Sequence, residues 1–165
     1  MTRRPTFQAA WAAATRIYDP KDPGGAVKRI IGGKVAANVA PEGTWTNFCA
    51  VRMSYILNQT GVKIPFTTGK TVSGANRDWY FHYVRDVITF LKGTWGNPDI
   101  TAPYPPDGGG TLQGQQGLVL FEIDGWDDAV GHATLWNGRS CYDHCYFNEA
   151  GANYTSRAAN FWKLA

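Results

Sequence analysis

The spacing of the apolar residues changes once along this chain, and that change limits its fold more than any other feature. Up to residue 93 they recur every three or four positions; after residue 117 they run in short blocks with a period of two. Residues 5–18 read as a helix, with Phe7, Trp11, Ala14 and Tyr18 on one face. The spacing predicts a second helix from about Asn47 to Thr60, with Gly61 where a C-terminal cap belongs. A third is expected from Arg77 to Lys92, with Tyr80, Val84, Val87 and Leu91 as its stripe. Residues 19–45, rich in proline and glycine, read mostly as loop; residues 107–117 read as a mobile one. LVLFEID (118–124), AVGHATLW (129–136) and YDHCYF (142–147) are the expected strands. Helices first and strands after predict an α+β fold, with helices packed on an antiparallel β-sheet. With no repeat and no long linker, residues 1–165 are expected to form a single domain.

Composition removes several functional classes. A net charge of +3 without a dense Lys/Arg run argues against a nucleic-acid partner. No apolar stretch approaches the roughly 20 residues that membrane insertion needs. Arg3 and Arg4 followed by alanines resemble an export signal, but Gln8 and Thr15-Arg16 break the run. An amphipathic helix is the better reading, so synthesis in the cytoplasm without a classical signal peptide is expected.

Cys49 is where chemistry enters. Free cysteine is often a buried core residue. Thr46 or Asn47, however, can cap the helix and place this thiol in its first turn. There the free N–H groups and the helix dipole favour a thiolate. A nucleophile needs a base. Of three histidines, His82 falls within the expected third helix as a packing or surface residue, and His144 lies between Cys141 and Cys145. His132 sits on an expected strand just before Asn137-Gly138, a strong two-residue hairpin signal. That turn pairs Trp136 with Arg139, Thr134 with Cys141 and His132 with Asp143. Opposed Cβ atoms lie about 5 Å apart, close enough for a carboxylate to hold an imidazole N–H. Cys49, His132 and Asp143 then meet the needs of a thiol-based acyl transfer. Asp124, Asp127 and Asp128 are near in sequence but have no register argument.

The other cysteines strain that register. Residues four apart on a straight strand are about 13 Å apart, and a disulfide needs Cα atoms within about 7 Å. Either the strand is straight and the thiols are free, or the chain bends, Cys141 and Cys145 are bridged and Asp143 sits at the tip. The bridged form is favoured and implies an oxidising compartment. Zinc held by Cys141, Cys145, His132 and His144 is a weaker reading, because His144 beside Cys145 suits tetrahedral geometry poorly. Gly69-Lys70-Thr71 lacks the earlier glycine of a phosphate loop, since Ile64 stands there. No metal or cofactor is expected.

Six segments in this order resemble one known family: IIGGKV (30–35), NFCAVRMSYILN (47–58), YVRDVITFL (83–91), TWGNPD (94–99), GHATLWNG (131–138) and CYDHCYF (141–147). It is the fourth family of type VI secretion amidase effectors, small bacterial cell-wall hydrolases with a papain-like fold related to NlpC-type peptidases. The resemblance implies Cys49 as nucleophile, His132 as general base, Asp143 as orienting acid and a Cys141–Cys145 disulfide. It implies cleavage between D-glutamate and meso-diaminopimelate in the peptidoglycan stem peptide, and a cognate immunity protein that blocks the site. It also implies delivery by the type VI machinery of a Gram-negative bacterium into the periplasm of a target cell. The Cys49 N–H is the expected oxyanion donor, with Trp45 and Asn47 as guesses for a second. Trp45, Trp126 and Trp136 could wall a groove or belong to the core. Two competing readings are a non-catalytic cell-wall-binding module and a general cysteine protease.

Overall fold

Thr6 Oγ1 accepts the Ala9 N–H at 3.2 Å and opens the first helix, α1 (Phe7–Ile17). In the computed structural model, which describes residues 3–102, 110–126 and 131–165, this helix turns Ala10, Ala13, Ala14 and Ile17 into the core. Residues 19–45, expected as loop, instead carry two short helices, α2 (Pro23–Ile30) and α3 (Gly33–Asn38). Their punctuation residues turn out to be helix boundaries. Asp22 caps α2 by accepting the Gly25 N–H at 3.0 Å, and Pro23 takes the first helical position, where its missing N–H costs nothing. Gly32 and Gly33 adopt φ of 64° and 60°, which break α2 from α3.

The second predicted helix is α4 (Cys49–Gln59), buried on all sides from Cys49 through Asn58. Its buried Ser54 and Asn58 are both partnered. Ser54 Oγ donates to the Ala50 carbonyl and accepts the Phe81 N–H, each at 2.9 Å. Asn58 donates to the Trp79 carbonyl at 2.8 Å and accepts the Ile64 N–H at 2.9 Å. These bonds explain a second departure from expectation. Residues 77–83 are not helical: β2 (Trp79–Phe81) pairs antiparallel with β1 (Thr71–Ser73), and α5 (Val84–Trp95) begins only after it. The segment 79–81 satisfies its backbone on α4 side chains and on β1, which outweighs its helical spacing. His82 therefore lies between β2 and α5, stacked on Trp45 with ring centres 4.9 Å apart.

The main sheet runs β3 (Ile100–Ala102), β6 (Thr155–Lys163), β4 (Gly117–Asp124), β5 (Gly131–Trp136), antiparallel throughout. β4 is central and buried on both faces, which is why it reads as a nearly unbroken apolar run. Leu118 and Leu120 face the helices with Ala133 and Leu135, while Val119, Phe121 and Ile123 face a second cluster with Trp136, Phe147 and Phe161. The third predicted strand is absent: apart from a bridge between Cys141 and Trp136, residues 142–147 form no ladder. Residues 129–130 of the expected second strand and 107–109 of the expected loop lie outside the described residues. Of the remainder of that loop, Gly110–Leu112 forms a single 3-10 turn and Gly117 begins β4.

Candidate active site

Cys49 is the first residue of α4, and its side chain meets the open edge of β5. Hydrogen-bonding groups alternate in direction along an antiparallel strand, so Gly131, Ala133 and Leu135 point away from β4. The Gly131 carbonyl lies 4.0 Å from the Cys49 sulfur, and the Leu135 carbonyl accepts the Tyr142 N–H at 3.3 Å. The Ala133 N–H and the His132 imidazole both act electrostatically on the thiol. The cap differs from expectation in one detail. Phe48 is the N-cap and offers no side-chain bond, while Asn47 Oδ1 accepts the Cys49 N–H at 3.1 Å. The predicted capping residue is thus used, but on the first helical N–H.

The hairpin after His132 corrects the predicted register. Trp136 faces Cys141 rather than Arg139, so the loop holds four residues instead of two. Asn137 Oδ1 accepts the N–H groups of Arg139 at 2.9 Å and Ser140 at 2.8 Å, closing the wider turn with its own side chain. Gly138 has φ of 98° and packs on Gly114, whose N–H bonds the Gly138 carbonyl at 3.1 Å. The slip is two residues. An even slip keeps every side chain on its own face, so Asp143 stays on the side of His132.

The Cys141–Cys145 disulfide brings its Cα atoms to 5.5 Å and folds the loop back with Asp143 between them. Zinc ligation by these sulfurs is thereby ruled out, since both are bonded to each other. Asp143 is almost fully buried. Its Oδ2 sits 3.1 Å from His132 Nε2, off the line of the N–H, so the contact is an ion pair rather than a straight hydrogen bond. Its Oδ1 accepts from Thr134 Oγ1 at 2.5 Å and from the His144 N–H at 2.6 Å. Arg52 Nη2 donates to Oδ2 at 3.0 Å, and Arg52 Nε donates to the Tyr142 hydroxyl at 3.1 Å. With Nε2 facing the acid, Nδ1 is the ring nitrogen left for the thiol.

The charges reinforce one another. Burial pushes the Cys49 thiol up, but the His132 bond and charge, the Ala133 N–H and Arg52 together hold it below its ordinary value. Burial pushes His132 down, yet Asp143 and Cys49 raise it to about 9. Burial raises Asp143, and His132, Thr134 and Arg52 more than offset it, leaving it at about 2. The shifts therefore lean towards a thiolate beside an imidazolium, with Asp143 as the carboxylate that faces the ring.

The structure thus brings Cys49, His132 and Asp143 together. Asp124 pairs instead with Arg157 at 3.0 Å on the surface, while Asp127 and Asp128 lie outside the described residues. Trp136 is core, its Nε1 donating to the Leu112 carbonyl at 2.9 Å. Trp126 meets Tyr146 edge-on at 4.7 Å, and Tyr146 in turn meets His132 at 4.7 Å, so that tryptophan flanks the site through a neighbour. Sequence reasoning missed Thr134, Tyr142 and Arg52. Only Arg52 carried a signal, as a charge on the otherwise apolar CAVRMSYIL helix.

Helices packed on an antiparallel sheet, with a cysteine at a helix start beside a strand histidine, define the papain-like, NlpC-type cysteine peptidase fold. The family model of the type VI secretion system amidase effector protein 4, Tae4, matches residues 45–162, and the chain belongs to this family. No functionally curated protein matches it. Among solved structures it is similar to Tae4 in the Tae4–Tai4 effector–immunity complex from Enterobacter cloacae. That match has 36% identity and a TM-score of 0.84, covering 99% of this chain and 100% of the other. Tae4 from Salmonella typhimurium, in complex with the Enterobacter cloacae immunity protein Tai4, is 34% identical with a TM-score of 0.84, covering 98% and 100% of the chains. Tae4 from Enterobacter cloacae by itself gives 35% and 0.82, covering 99% and 98%.

Proposed function

We propose that this amidase effector hydrolyses the amide between D-glutamate and meso-diaminopimelate in peptidoglycan stem peptides, with Cys49 as nucleophile, His132 as general acid and base, and Asp143 as the acid that orients His132. The observation that carries the reading is the buried thiol at a helix start, in electrostatic contact with an imidazole whose Nε2 faces a carboxylate. The Cys49 thiolate attacks the D-glutamyl carbonyl carbon, forming a C–S bond and moving an electron pair onto oxygen. The oxyanion takes the Cys49 N–H that Asn47 Oδ1 otherwise holds, and the positive end of α4 supports the charge. Collapse breaks the C–N bond as imidazolium His132 protonates the departing amine. Neutral His132 then takes a proton from water, the hydroxide attacks the thioester, and the thiolate returns.

A cognate immunity protein of the Tai4 kind is supported by the effector–immunity complexes of related effectors, and we place it over this site. Delivery by a type VI machinery is in keeping with the family, and the periplasm of the target cell, where a disulfide persists, is the proposed destination. Among the described residues no helix is long and apolar enough to cross a membrane. The test is incubation of purified muropeptides with the protein and with Cys49→Ala, followed by chromatography. The wild type is expected to release diaminopimelate-bearing fragments with a new amino terminus and Cys49→Ala none. Intact stem peptides with the folded wild type would reject the assignment, and equal cleavage of casein would point to a general protease.

A further inference from the structure

We propose that Arg52 is a positioning residue of this reaction, holding the Asp143 carboxylate in place and sharing its charge with His132. The inference rests on the roles given above to Cys49, His132 and Asp143. Arg52 stands three residues after Cys49, one turn along α4, so nucleophile and cation travel on one rigid element. Its side chain is 8% exposed and that of Asp143 2%. The guanidinium donates to Oδ2, the same oxygen that faces His132 Nε2, while Oδ1 is held by Thr134 and the His144 N–H. Both carboxylate oxygens are therefore held by donors other than His132, which restrains the carboxylate from rotating away from the imidazole. The guanidinium is itself fixed, by the Tyr142 hydroxyl and by the Tyr18 ring 4.8 Å beneath it. Tyr18 in turn meets Tyr142 edge-on at 5.6 Å, which closes the cage.

Stability alone does not account for such a pair. Desolvating two charges offsets most of their attraction, and apolar side chains of similar volume commonly serve a core as well. A tuning role does account for it. His132 must hold a proton against the thiolate yet release it to the leaving amine. An Asp143 charge devoted wholly to His132 would make that release harder. The charged and titratable groups facing Arg52 are Tyr18 at the end of α1, Cys49 on α4, and Tyr142 and Asp143 from the bridged loop, while His132 from β5 meets the same carboxylate oxygen. Neutralising Arg52 leaves Asp143 to His132 alone, which moves the alkaline limb of kcat/KM to higher pH. It also removes a cation from the neighbourhood of the thiolate, which moves the acid limb upward too. Asp143→Asn acts oppositely on His132 and lowers the alkaline limb.

The experiment measures Cys49 alkylation by iodoacetamide against pH, together with muropeptide turnover, for the wild type, Arg52→Gln, Arg52→Lys, Asp143→Asn and the Gln/Asn double variant. Arg52→Gln is expected to raise the alkylation midpoint by about one pH unit and to lower kcat by about 100-fold with little change in KM. Arg52→Lys is expected to restore the midpoint but to stay about tenfold slow, since an ammonium keeps the charge and loses the fork. In the Asp143→Asn background Arg52→Gln should cost less than about threefold more. If Arg52→Gln alone does not fold, the double variant, which neutralises both partners, decides through its comparison with Asp143→Asn. Unmoved pH limbs in Arg52→Gln, or fully additive losses in the cycle, overturn the role of Arg52. A wild type that is itself inactive, with a thiol titrating at its ordinary value, overturns the proposed reaction instead.

Discussion

At the scale of single residues the site is a chain of contacts in which each group depends on the next. From the sequence alone, removing Asp143 looks harmless to the fold, since the residue reads as lying at a loop tip. Its burial against Arg52 changes that expectation. Asp143→Ala leaves a buried guanidinium without its anion and is expected to cost about 3–5 kcal/mol of stability, read as a lowered urea midpoint. Asp143→Asn keeps the shape and the Thr134 contact and should cost less stability while still lowering turnover by two or more orders of magnitude. Finding equal unfolding midpoints for Asp143→Ala and the wild type would contradict this account of the pair. Thr134 was invisible in the sequence because a strand threonine is an ordinary residue; only the folded loop gives its hydroxyl an acid to bind.

Among the elements, the bridged loop 141–145 and the edge strand β5 are interdependent. β5 needs a partner for its outward groups, and the loop supplies one through Tyr142 while delivering Asp143. So short a bridged loop stabilises the fold by at most about 2 kcal/mol, so its larger effect is on the shape of the site. Replacing Cys141 and Cys145 by serine should therefore reduce turnover by more than tenfold while the thermal midpoint falls only a few degrees. Full activity in that variant would show that the bridge does not hold Asp143. Mass spectrometry with and without reductant should count one bridge and a single alkylatable thiol in the native protein. Gly33 makes a separate element-scale case. Its φ is positive, and a Cβ there would meet the backbone nitrogen of Ala75 at 2.6 Å. Gly33→Ala should destabilise the α3–β1 junction by about 2 kcal/mol or more, visible as a lower melting temperature.

For the whole molecule, the buried charges set a pH window for stability. Asp143 is at about 2 in the fold against an ordinary 3.8, so its contribution is complete above about 4 and is lost as pH falls through about 2. His132 is raised from 6.5 to about 9, so its contribution is complete below about 6.5 and is lost as pH rises through about 9. Cys49, held below its ordinary 9.0, gains stability over the same alkaline range and offsets the His132 loss, so unfolding free energy by urea titration should fall steeply only below about pH 4. A stability at about pH 2 equal to that at about pH 6 would contradict the assigned Asp143 contacts. The sequence by itself determined the α+β order of elements, the cysteine at a helix start, the strand histidine and the face on which its acid would stand. Those follow from local periodicity, capping and turn chemistry, which act over a few residues. Tertiary structure alone decided that residues 79–81 pair as a strand, that the hairpin slips by two, and that Arg52 and Thr134 hold Asp143. Each of these depends on polar groups distant in sequence meeting in a place without water, where every donor must find an acceptor.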